Sequence, residues 1–165
     1  MVDDELPCIT DLSAVDAEDF KVRNTSFLIG GSHYDNPYSK PVEELRHEIW
    51  AVRNQDRRRV IRGFPLEDPL LEQCGLWMRA VVGKHYFPDA NHRTAIALLR
   101  ELLRDNGIEP GSWPIEKTKT VRARSHDVRR ELPPVTLDTL YERDELYDLW
   151  FEYFQDVSET MSKRA

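Results

Sequence analysis

The strongest constraint on the fold of this chain is the run that follows residue 91. Ala95, Leu98, Leu99, Leu102 and Leu103 recur at steps of three and four, the spacing of one apolar stripe on an amphipathic helix, and Asn106-Gly107 is the pair that ends such a helix. A stripe this rich in Leu has to be covered. Immediately upstream, Asp68-Pro69 reads as the cap and first position of a partner helix through Leu70, Leu71, Trp77, Met78, Val81 and Val82. The expectation is an all-α bundle built on a helix, loop, helix unit. A chain of 165 residues that is 40% hydrophobic suits one domain, 1-165, with its own core.

Around that unit the pattern is less sharp. Residues 1-24 are acidic and carry Pro7, so they read as an N-terminal extension, extended or frayed, with a short helix around Ser13 to Lys21. Phe27 to Tyr34 reads as two extended pieces around Gly30-Gly31, a short β-hairpin, with a plain ordered loop as the alternative. From Ser39, with Pro41 near the first turn, Val42, Leu45, Ile49 and Val52 take core spacing, flanked by Trp50. Arg57-Arg58-Arg59 and Arg62 form a basic knot, either a solvated cluster or a seat for phosphates or an acidic partner. Residues 115 to 132 are polar with weak periodicity, and His126 among them reads as surface. A helical pair is expected from Thr136, its apolar face formed by Leu146, Leu149, Trp150, Tyr153, Phe154 and Val157, and 158-165 as a frayed tail after a core of 25-157.

The loop His85-Tyr86-Phe87-Pro88-Asp89-Ala90-Asn91-His92-Arg93 holds the chemistry. The first turn of the helix behind it leaves N–H groups unpaired, and these favour an anion. Arg93 adds a planar cation suited to phosphate oxygens, and Asp89 a hard carboxylate of the kind that holds Mg²⁺ together with nucleotide phosphates. Asn91 can bond a phosphate or its water. His85 is the group whose ordinary pKa suits a general base near neutrality. Read singly, Asp89 is a helix N-cap, Arg93 a solvated residue, His85 a cap or satisfied polar group, and Phe87 a core plug. Their concentration in nine residues is what no capping rule requires.

This run resembles the signature of the Fic/Doc family: His, any, Phe, any, Asp or Glu, Gly or Ala, Asn, Gly or Lys, Arg. The likeness is closest to the death-on-curing (Doc) branch, which continues Arg-Thr-Ala into a Leu-rich helix, and it covers about residues 68 to 108. The resemblance implies a compact helical bundle, with a β-hairpin flap upstream of the motif, that transfers part of a nucleotide onto a protein hydroxyl. Carried over position by position, it makes His85 the base, Phe87 an anchor, Asp89 the Mg²⁺ ligand, and Asn91, His92 and Arg93 the nucleotide and phosphate contacts. ATP or another nucleoside triphosphate is the implied co-substrate. Two positions depart from the pattern. His92 stands where Gly or Lys is usual, and Ile96 where adenylylating members carry a second Arg; Arg100 lies on nearly the same face but about 10 Å farther along the axis.

The resemblance therefore leaves three functions open. One is a Doc-like kinase acting on a Ser, Thr or Tyr hydroxyl of a protein such as a translation factor, as the toxin of a toxin-antitoxin pair. The others are a protein adenylyltransferase and a catalytically silent nucleotide-binding or interaction module. Ser39 to Glu43 has the spacing of the family's inhibitory helix motif but lacks the Gly or Asn that follows it, so restraint is expected from a separate antitoxin. A net charge of -7 argues against general nucleic-acid binding. The absence of a long apolar run and of a signal-like start points to a soluble cytoplasmic chain with no membrane partner. Cys8 and Cys74 lack metal-type spacing and read as thiols.

Overall fold

A computed structural model describes residues 6–30 and 33–164. Among these, seven α-helices carry the fold: α1 (Ala17–Ile29), α2 (Val42–Ala51), α3 (Asn54–Arg62), α4 (Leu70–Lys84), α5 (Asn91–Asp105), α6 (Ile115–Glu131) and α7 (Glu145–Val157). The all-α expectation holds. None of these helices is long and apolar enough to cross a membrane.

The α4 and α5 pair sits at the centre. Leu98, Leu99, Leu102 and Leu103 of α5 are all buried against Trp77, Met78 and Val81 of α4, each burial contributing roughly 2 kcal/mol. Trp77 is also pinned in register, its Nε1–H donating to the carbonyl of Ala95 at 3.0 Å. α7 covers the other side of α4. Gly75 permits that approach, because a Cβ there would stand 3.0 Å from the ring of Tyr147 and 3.2 Å from the backbone nitrogen of Phe151. α1 covers α5, and α6 lies across α7.

Several expectations are corrected. Residues 27 to 29 are the last turn of α1 rather than a strand, while Gly31 and Ser32 lie outside the described residues. The cause lies upstream: Asp16 accepts from the N–H groups of Glu18 and Asp19, and Asp19 accepts from that of Asp16, a reciprocal cap that starts a helix carrying Phe20 and Asn24 into the core. The sheet seen among the described residues is elsewhere, two residues long, where β1 (Ile108–Glu109) pairs antiparallel with β2 (Ser162–Lys163). The tail is thus tied down, with Met161 buried and the N–H of Arg164 donating to Gly107 at 2.7 Å.

Of the acidic N-terminal segment, residues 1–5 lie outside the described residues, and the stretch before α1 belongs to the core as well. Ile9, Leu12 and Val15 are buried, and two side-chain amides replace the strand that would otherwise satisfy this backbone. Gln73 accepts from the N–H of Ile9 at 2.7 Å and donates to its carbonyl at 2.9 Å, and Asn106 accepts from Thr10 and Asp11, both at 3.0 Å. Thr136 to Arg143 forms turns in place of the first helix of the expected pair. Buried Arg79 gathers that segment, donating to the carbonyls of Thr139 and of Leu140, the latter at 2.8 Å, and pairing with Asp144 at 3.0 Å. Asp144 in turn caps α7 through the N–H of Tyr147. α2 begins at Val42 and buries Leu45 and Ile49, while Val42 and Trp50 are exposed. Asp68 does not cap α4; its carboxylate meets Arg143 at 3.4 Å instead. Both cysteines are free thiols, Cys74 buried.

Candidate functional site

The loop between α4 and α5 is bracketed by two residues in left-handed backbone, His85 with φ 53° at the end of α4 and Ala90 with φ 60° at the start of α5. Neither is glycine, so each conformation costs about 1 kcal/mol and persists because its surroundings fix it. Asn91 supplies much of that fixing. Its Oδ1 accepts the N–H of Phe87 at 3.0 Å and its Nδ2 donates to the carbonyl of Phe87 at 2.9 Å, folding the loop back on the first helical turn. Asn91 is buried, and in this structure it clamps the loop rather than facing a ligand.

A second network holds the loop from the α1 side. Buried Asn24 donates to the carbonyl of Asp89 at 2.8 Å and to Thr94 Oγ1 at 3.0 Å, and accepts from the hydroxyl of Tyr34 at 2.9 Å. That hydroxyl accepts the N–H of Asp89 at 3.2 Å. Burial raises the phenol pKa of Tyr34 to about 12, so it is a fixed donor. The sequence offered no signal for Asn24 or Tyr34. They are isolated polar residues far from the motif, and only the fold brings them to it.

Asp89 is not an N-cap; that position is Ala90, and α5 begins at Asn91 with no side-chain cap. Its Oδ2 accepts the N–H of Asp35 at 2.6 Å and meets Arg93 at 3.3 Å, while Arg93 also donates to the carbonyl of His33 at 2.6 Å and lies 5.1 Å from the centroid of Phe27. Oδ1 of Asp89 accepts nothing from the described residues. Among those residues no three His, Cys, Asp or Glu side chains gather to enclose a metal ion. One free carboxylate oxygen fits Mg²⁺ of the kind bound by a single carboxylate, with phosphates and water completing the shell.

His85 has a defined tautomer. The N–H of Phe87 fixes which end of the Asn91 amide is oxygen, so the Nδ2 group faces His85 Nδ1 at 3.3 Å as a donor. Nδ1 therefore carries the lone pair and Nε2 the proton. Burial, then the charges of Arg129 and His126, push the pKa of His85 down to about 4 against an opposing pull from Asp89, so the imidazole is neutral at pH 7.

The expected phosphate contact at His92 is a correction. Successive helical residues turn by about 100°. Asn91, His92 and Arg93 therefore cannot all face one ligand, and His92, like Asn91, points inward. It is buried, its Nε2 is 2.7 Å from Ser125 Oγ, and its ring lies 5.9 Å from Trp150. Burial and then His126 hold its pKa well below the ordinary value. Phe87 is buried, and beneath it lies Arg57 from the basic knot, itself buried. Its guanidinium stacks 4.4 Å from Tyr86 and 5.9 Å from Phe87, and none of its nitrogens hydrogen-bonds among the described residues. Arg59 of the same knot reaches Asp138 at 2.9 Å.

α6 contributes residues that the motif does not contain. His126 is half-buried rather than a surface residue, its ring 4.5 Å from that of His92. Arg122 and Arg129 lie on the same face by helical spacing. The signal was present in the sequence as Arg122, His126 and Arg129 at i, i+4 and i+7, masked because this face is polar. Compared with known proteins, the chain matches no protein family, no curated protein and no solved structure.

Proposed function

We propose that this chain is a Fic/Doc-like transferase that moves a phosphoryl group from a nucleoside triphosphate to a Ser, Thr or Tyr hydroxyl of a protein. The single observation that carries the reading is the His85 imidazole held 3.3 Å from Asn91, the first residue of an uncapped helix, with Asp89 and Arg93 paired at 3.3 Å across the same helix start. A neutral imidazole can take the hydroxyl proton as the oxygen attacks phosphorus. Its lone pair at Nδ1 is engaged weakly by Asn91, so the incoming hydroxyl displaces that contact. The N–H groups of the first turn of α5 and the Arg93 guanidinium stabilise charge on the transferring group as its bond to the departing nucleoside diphosphate breaks. Asp89 would hold Mg²⁺ through its free oxygen, and the ion would neutralise phosphate charge.

A second reading, a silent nucleotide-binding module, draws support from the resting contacts. Asp89 is tied to Asp35 and Arg93, and His92 is lost to the core. Ile96 weighs against adenylylation, which needs the nucleotide reversed. Cell extract incubated with Mg²⁺ and ATP labelled at the α or the γ phosphate separates these. Label from the γ position is expected on protein, and none after His85→Ala, while nucleotide binding is kept. Label from the α position alone makes it an adenylyltransferase. Unchanged labelling by His85→Ala removes the imidazole as base, and no label from either position leaves the silent module. A neighbouring gene for a small antitoxin would extend the reading to a toxin.

A further inference from the structure

The last turns of α4 and α6 meet in a cleft of about 380 Å³. α6 stops at Glu131 because Pro133-Pro134 cannot continue a helix, and Leu132 already takes extended backbone at φ -91° and ψ 156°. The chain then passes the end of α4 so closely that a Cβ on Gly83 would stand 2.7 Å from Val135 Cγ2. Buried Val135 and Leu146 give the cleft an apolar wall. Its charged lining is Lys84, Arg129 and Arg130, and no Asp or Glu lines it.

Cations in a last helical turn ordinarily answer the macrodipole. Two carbonyl ends carry about half a negative charge each, however, so three cations leave roughly two positive charges over. In a chain with 30 acidic residues, neither Lys84 nor Arg129 has a carboxylate partner among the described residues. Arg130 meets Asp127 at 3.9 Å on open surface, where such a pair is weak. The Nε of Arg129 is buried and bonded to nothing described, and burial and then Arg130 lower the pKa of its guanidinium. A carboxylate seated among these cations would relieve both costs. The cleft is also tied to the motif loop. Lys84 directly precedes His85, and Arg129 is the foremost charge lowering the pKa of that imidazole.

We infer that this cleft docks an acidic segment of the protein substrate, Asp or Glu side chains that lie within a few residues of the hydroxyl facing His85. The proposal rests on the transferase reading for that hydroxyl but not for the docking. The net charge of -7 repels a long polyanion such as nucleic acid, whereas a short acidic stretch meets only the local cations. Leu132, Pro133 and Pro134 add apolar surface for the methylenes of such side chains.

Fluorescence anisotropy tests the docking on the full chain without nucleotide. The probe is a fluorescein-labelled peptide of alternating glutamate and alanine with one serine. It is expected to bind about tenfold tighter than its glutamine counterpart, and less tightly as salt rises. Arg129→Gln should weaken it about tenfold and Lys84→Gln about threefold. Arg124→Gln, exposed and outside the cleft, should bind as wild type does, and so should His85→Ala. Circular dichroism melts identify any variant that fails to fold; Lys84→Glu then carries the test, its preference passing to a lysine counterpart of the peptide. Equal binding of the glutamate and glutamine peptides, or unchanged binding by folded Arg129→Gln and Lys84→Gln, overturns the docking. Tighter binding of an oligothymidylate of the same charge overturns it too, because the cleft would then read phosphate. If the peptide binds as expected while no label from ATP reaches protein, the transferase reading fails and the docking stands. If label reaches protein and neither substitution lowers it, the docking fails and the transferase reading stands.

Discussion

On the α1 side of the motif loop, Asn24 uses both amide hydrogens and its oxygen, and Tyr34 both gives and takes a hydrogen bond, so the backbone of Asp89 is held from two directions. On the α6 side, Arg122 and Arg129 present buried Nε atoms that nothing described accepts from. The same loop is thus finished by protein on one flank and left for something else on the other. The lesson is that the two flanks are built differently: α1 decides where the loop is, and α6 sets unpartnered cationic donors on the other side.

Substitutions can break that contrast. The largest effect is expected from Asn24→Ala, which orphans the Asp89 carbonyl, Thr94 and Tyr34 together; urea unfolding should show a loss of about 3 kcal/mol. A loss below about 1 kcal/mol would mean the α1 flank positions nothing.

Acid should come next. His85 has its pKa lowered to about 4, and His92 and His126 are lowered as well, each first by burial. Between about pH 6.5 and 4 the unfolded chain takes up protons that the folded chain refuses, so stability is full above that window and declines as pH falls through it. Melting temperature followed against pH checks the sign, and His92→Gln should flatten the decline. The smallest effect is expected on the α6 flank. Arg122→Gln removes a half-buried cation with no partner, so stability should stay within about 0.5 kcal/mol of wild type or rise, in contrast to Asn24→Ala.

Much of the centre was legible from periodicity. Leu98, Leu99, Leu102 and Leu103 are buried as their spacing required, and α5 ends at Asn106-Gly107, with Gly107 at φ 77°. Asp89 and Arg93 pair at the start of α5, and His85 reaches its first residue, Asn91. What escaped was set by partners distant in sequence. His92 was read with its neighbours although three consecutive residues of a helix cannot share one face, and both Asn91 and His92 are turned inward. Phe27 to Ile29 suggested a strand because the capping pair that makes them helical lies a full α1 length earlier, at Asp16 and Asp19. Ile9 and Thr10 seemed loose because Gln73 and Asn106, which replace their missing strand, are 64 and 96 residues away. The α6 face was polar throughout, and polarity alone does not say whether solvent or a ligand lies opposite.

The far end of α5 holds a further consequence. Asn106 binds the incoming segment at Thr10 and Asp11, and Gly107 and Ile108 bind the outgoing one at Arg164 and Lys163. Thr10 and Asp11 on one side and Lys163 and Arg164 on the other are therefore gathered at one pole of a 15-residue rod, about 22 Å from the pole that bears the loop. The segments that enter and leave the bundle and the loop that carries the motif therefore sit at opposite ends of one helix.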